Sequence, residues 1–237
     1  MLGEEAGQNS LIGLDLGTSL PLADCGAFFP GWAESPADAK ALWALVDCVS
    51  ARDPHLGASS FVDHPVASRY FRRHGGREGD RFGGGRGRFR VTEKYQARGG
   101  CKPYSNFNLV GAAQVGKSSL TGMRMLYRLQ DNFAVWPFDP LPSDGPVIVE
   151  IYTAIAAIAA GRRASRSKMR YYEELNAGLA IFGSPPVIGV GPLDDNSADA
   201  LLTATWLRNA AEDAALWSPW GLTPELAATE GWTFGVS

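Results

Sequence analysis

Two short blocks of consecutive apolar residues stand out against polar surroundings. They are "LIGLD" at Leu11–Asp15 and the β-branched "PVIVEIY" at Pro146–Tyr152. Blocks of this length, bounded by turn residues, read as buried strands. Elsewhere apolar residues recur at helical spacing. Pro36–Ser50 reads as a helix with Pro near its start, and Ser118–Gln130 as a second. "TAIAAIAAG" reads as an Ala-rich helix stopped at Gly161, and Lys168–Phe182 as a further one. Asp194–Asp213 carries the clearest helical pattern of all. Strands alternating with helices predict an α/β fold with at least some parallel pairing. Residues 1–10 read as a disordered N-terminus, 11–216 as one domain, and 217–237 as a tail packing on it. The Gly/Arg-rich stretch Gly75–Arg90 reads as a mobile loop, the centre of a flexible insert at about 72–102.

Composition sharpens this picture only in places. A chain of 237 residues with 45% hydrophobic content can bury a sizeable core. The net charge of −3 gives no global argument for a nucleic-acid partner, but ten Lys/Arg stand against three acids between Arg72 and Lys102. That segment would contact phosphates through its charge, or else be a solvated insert. Three widely spaced cysteines, Cys25, Cys48 and Cys101, argue against a disulfide framework and fit a reducing cytoplasm. The N-terminus is acidic and polar, unlike a signal peptide. The longest apolar run, Val147–Ala160, contains Glu150 and is too short to span a bilayer, so no membrane partner is expected.

Two stretches resemble nucleotide-binding motifs. "GAAQVGKSSL" places Gly111, Gly116, Lys117 and Ser118 in the register of a phosphate loop. Such a loop needs a buried strand before it, and "CKPYSNFNLV" is a poor one. The alternative is a loop-to-helix junction with Ser118 or Ser119 as N-cap. "IGLDLGTS" resembles the first phosphate motif of sugar kinases and seventy-kilodalton heat-shock chaperones, although a Pro/Gly loop follows where a second strand should. His55, His64 and His74 lie too far apart for a close zinc pair and read as loop histidines.

The carboxylates form a third candidate. Asp15 ends a strand, where ligand sites of open α/β sheets gather. Glu150 interrupts a strand, where an unpaired buried carboxylate is costly. Simple alternation would instead turn Val147, Val149 and Ile151 inward and leave Glu150 on a wet face. Asp195 and Asp199 share one face of the last long helix, and Asp194 precedes it at a capping position. Strand acids converging with helix acids would bind Mg²⁺ or Mn²⁺ through oxygen. Two such ions about 4 Å apart cleave phosphodiesters by activating water and stabilising the leaving oxygen.

The order "LIGLDLGTSLP", "RVTE", "QVGKSSLTGMRML", "VWPFDP…VIVEIYTA" and "DDNSADALLTA" resembles domain-of-unknown-function family 429, over most of residues 11–210. Members of that family are described as predicted nucleases of the RNase-H-like fold. The resemblance implies a mixed sheet flanked by helices and a metal-dependent phosphodiester hydrolase using Mg or Mn. It implies Asp15, Glu150, Asp195 and Asp199 as catalytic metal ligands, with Asp194 beside them, and nucleic acid as partner. In the family a strand carrying a further Asp precedes the counterpart of "GLD"; here ten polar residues precede Leu11, so the resemblance implies an N-terminally truncated domain. Two other readings remain: an inactive domain of this fold acting as a binding module, and a nucleotide-binding protein using Gly111–Ser118.

Overall fold

In the computed structural model, which describes residues 9–111, 114–162 and 168–237, the two apolar blocks form adjacent parallel strands. β1 (Leu11–Leu14) pairs with β3 (Val147–Glu150), Leu11 opposite Val147 and Leu14 opposite Glu150. β2 (Ala134–Trp136) pairs with the other edge of β3, also in parallel, giving the order β1-β3-β2. The protein is therefore α/β, with a small open parallel sheet covered by helices. The expected disordered segment 1–10 lies largely outside the described residues.

Both faces of the sheet are buried, as parallel strands require. Ile12, Leu14 and Ile148 face a core built with α1 (Ala39–Val49) and α4 (Val115–Leu129), through Leu42, Trp43, Val46, Leu120 and Met123. α2 (Ser59–Val62) adds Phe61 to that side. Leu11, Val147, Val149 and Ile151 face the opposite core, with Trp206, Leu207, Trp232 and Phe234. On this side α5 (Thr153–Ala159) and α6 (Tyr172–Ile181) pack on α7 (Asp195–Ala210). Asp38 caps α1 by accepting from the Ala41 amide, and Asp194 caps α7 by accepting from the Ser197 amide at 2.8 Å. Two short helices, α8 (Ala214–Trp217) and α9 (Pro224–Thr229), lead to the C-terminus.

The segment expected as a flexible insert differs from that expectation. It contains α3 (Val91–Arg98), and two of its arginines are interior. Arg88 pairs with Asp24 at 2.6 Å and donates to the carbonyls of Pro21, Ala27 and Phe28. Arginine carries five donors, so one side chain can tie down three backbone carbonyls that would otherwise be buried without partners. The glycines beside it, Gly83, Gly84, Gly85 and Gly87, all take the positive φ that favours glycine. The C-terminal tail is equally integral. Trp232 and Phe234 are fully buried, and Phe234 donates its amide to the Glu150 carbonyl beside the sheet.

Candidate functional site

β1 and β3 are neighbours whose chains leave the sheet toward opposite faces. β1 runs on toward α1 and α4, and β3 into α5. Between the carboxyl ends of two such strands an open α/β sheet leaves a crevice. Asp15 follows β1 directly and sits in it. It borders two cavities. One, about 690 Å³, lies against α7 and is lined by Gly13, Asp15, Thr153, Asn196, Asp199 and Thr203. The other, about 480 Å³, includes Arg90, Tyr104, Ser118, Glu150 and Tyr152.

Asp15 and Asp199 meet in the first cavity. Asp15 is exposed at its mouth, yet the protein around the strand end partly desolvates its carboxylate. That desolvation, then the charge of Asp199 and, more weakly, that of Glu150, pushes its carboxyl up to about 6, while an amide hydrogen bond from Thr153 and the charge of Lys168 oppose the rise. Asp199 accepts from Lys168 Nζ at 3.0 Å, and Asp195 lies 3.5 Å from the same ammonium. The paired carboxylates hold Lys168 above the usual lysine range despite partial desolvation. Thr203 stands one helical turn beyond Asp199. It is buried and its hydroxyl has no partner. Asp194 is occupied in capping α7 and does not line the cavity.

Glu150 goes elsewhere. The strand alternation turns Val147, Val149 and Ile151 to the α7 side and Glu150 to the other, with Ile148. It is buried rather than wet, although it borders the second cavity. Arg90 grips it with two guanidinium nitrogens at 2.5 and 2.8 Å. The Thr18 amide and hydroxyl donate to it at 2.7 and 2.8 Å, and the Thr233 hydroxyl at 2.6 Å. Arg90 also pairs with the buried Glu93 at 2.8 Å. Burial alone would raise the Glu150 carboxyl, but Arg90 and these hydroxyl and amide donors hold it below the usual range. Glu93 has fewer donors; burial and the Glu150 charge push it up. With two carboxylates against one guanidinium, Glu93 is the member that protonates first. Glu150 thus borders the second cavity and Asp199 the first, while Asp15 borders both.

Both nucleotide-like motifs are used structurally. In "IGLDLGTS", the Gly17 amide donates to Ser119 Oγ and the Thr18 amide to Glu150, so these donors are not free for phosphate. In "GAAQVGKSSL", whose residues 112–113 lie outside the described set, α4 is preceded along the chain by the helix α3, not by a strand, among the described residues. Gly116 is needed because a Cβ there would fall on the Asn106 carbonyl. Ser119 is not an N-cap; it lies inside α4 and anchors the loop after β1. His64 stacks on Trp32 in the surrounding loops.

Sequence reasoning missed Arg90, Asn196 and Thr203. The only cue to Arg90 was the need of a buried Glu150 for a cation, and 22 Lys/Arg offered themselves. Among the described residues no three His, Cys, Asp or Glu side chains stand close enough to enclose a metal ion, and no helix is long and apolar enough to cross a membrane. Compared with known proteins, the chain matches no family model, no curated protein and no solved structure.

Proposed function

We propose that the cleft between β1 and α7 holds a divalent cation through Asp15 and Asp199 and serves phosphodiester hydrolysis. The observation behind this reading is a pair of carboxylates in one cleft, one pushed up to about 6 partly by the other's charge, beside the unpartnered Thr203 hydroxyl. A cation between them would turn mutual repulsion into attraction. The donor set suits a hard, hydrated ion such as Mg²⁺ or Mn²⁺, which is commonly held by one or two carboxylates and leaves its other positions to water and phosphate oxygens. When bound, such an ion supplies Lewis-acid polarisation of a phosphoryl oxygen.

The chain's own groups have distinct tasks. Lys168 fixes the Asp199 carboxylate and offers positive charge at the cleft for a substrate phosphate. Thr203 offers a hydroxyl with no internal partner to a ligand oxygen. Glu150 acts from outside the cleft: by holding Thr18 it fixes the loop that follows Asp15. The RNase-H-like assignment remains part of the proposal. In its favour are a strand-end Asp and an acid-bearing helix behind it; the described strands, however, are all parallel and include no antiparallel meander.

The test is hydrolysis of bis(p-nitrophenyl) phosphate by the full chain with Mn²⁺. Metal-dependent turnover is expected. It should fall roughly a hundredfold or more in Asp15→Asn and in Asp199→Asn, the scale of losing a group that stabilises transition-state charge, and persist in Asp194→Asn. No turnover, or turnover indifferent to Asp15 and Asp199, would overturn the reading.

A further inference from the structure

The first turn of α4 separates two cavities. Ser118 lines the strand-end crevice, whereas Lys117 lines a different cavity of about 370 Å³. The Lys117 ammonium lies 2.7 Å from His74 Nε2. An ammonium only donates, so His74 accepts there. Arg73 and Arg77 line the same cavity. Arg73 Nη1 is held by Asp63 at 2.9 Å, but its Nε is buried and has no partner. Arg77 donates from Nε to the His74 carbonyl at 3.3 Å. Neither Lys117 nor Arg77 pairs with a carboxylate among the described residues.

Three cations thus share this cavity with one carboxylate, Asp63. Leu109 and Leu120 form an apolar part of its wall. Unrelieved, the like charges repel one another. A carboxylate ligand would satisfy one of the two surplus charges; a phosphate group matches both and presents oxygens to guanidinium and ammonium donors together. The geometry points to a phosphate-binding pocket formed by Arg73, Arg77 and Lys117. It is independent of the Asp15 cleft, with which it shares no lining residue.

The phosphate is either free or part of a polynucleotide backbone, and the experiment separates the two. The full chain is titrated calorimetrically with inorganic phosphate and, separately, with a short single-stranded oligonucleotide. Lys117→Ala and Arg77→Ala are each expected to weaken binding roughly tenfold, the loss of one charge-assisted contact. Both positions are exposed, and unchanged melting temperatures will confirm that each variant is folded. Saturable binding of inorganic phosphate assigns a free phosphate. Binding of the oligonucleotide alone, with a salt dependence reduced by about one counterion per substituted cation, assigns a backbone phosphate. Absence of both, or binding unaffected by either substitution, overturns the proposal. So does a comparable loss in Asp15→Asn, because the ligand would then sit in the other cleft.

Discussion

Leu14 and Glu150 are register partners, yet Glu150 and Asp15, the next residue after Leu14, have opposite electrostatic fates. Glu150 receives donors from Arg90, Thr18 and Thr233 and stays ionised. Asp15 has fewer compensating donors and Asp199 for a neighbour. The consequences are measurable. Arg90→Met leaves two buried carboxylates without their counter-charge and should cost about 3–5 kcal/mol. A thermal melt should fall by roughly 6–20 °C for a chain of this size. A loss within a degree or two would show that the cluster is dispensable. The folded pKa of Asp15 lies above its unfolded value, so its contribution to stability is fully present below the unfolded pKa and is lost as pH rises toward 6. Asp15→Asn removes that loss. The variant should melt higher than wild type above about pH 7, by only about 2 °C because water screens the cleft mouth, and the difference should vanish near about pH 4. A variant less stable than wild type at neutral pH would contradict the repulsion.

The elements follow the hydrophobic pattern where burial is apolar and depart from it where burial is polar. β1, β3, α1, α4, α5 and α7 were legible because their buried faces are Leu, Ile, Val, Met and Ala at strand or helix spacing. α3 was not, since its buried face is Thr92, Glu93 and Gln96. That face reads as a solvated surface until Arg90, Asn106 and Thr233 are placed against it. β2, three residues long, offers too little periodicity to register. Residue spacing likewise brought Asp199 and Asp15 forward as candidates, but carried no sign of the orphaned Thr203 hydroxyl. The phosphate-loop pattern misled because glycine and serine answer two different demands. Gly116 lets α4 approach the 106–108 backbone, and Ser119 anchors Gly17. Gly116→Ala should therefore destabilise by about 1–3 kcal/mol through overpacking, read as a lowered midpoint in urea. An unchanged midpoint would mean that α4 can shift aside freely.

At the scale of the whole molecule, the long excursion from β1 to β2 covers one face of the sheet, and α5–α7 cover the other, so the crevice opens at the strand ends between them. This arrangement brings residues 15 and 199, remote in sequence, into one cleft while residues 90, 150 and 233 lock the layers from within. The central claim is that the cleft is built to take a cation between Asp15 and Asp199. Its most direct test is the melting temperature of the full chain titrated with Mn²⁺, in wild type and in Asp199→Asn. A ligand that binds only the folded protein raises its stability by about 2.7 kcal/mol at a hundredfold excess over Kd. The account predicts a rise of several degrees for wild type that grows with the logarithm of Mn²⁺ concentration above Kd, and none for Asp199→Asn. A wild-type melt unmoved by Mn²⁺, or an Asp199→Asn variant that responds as wild type does, would contradict it.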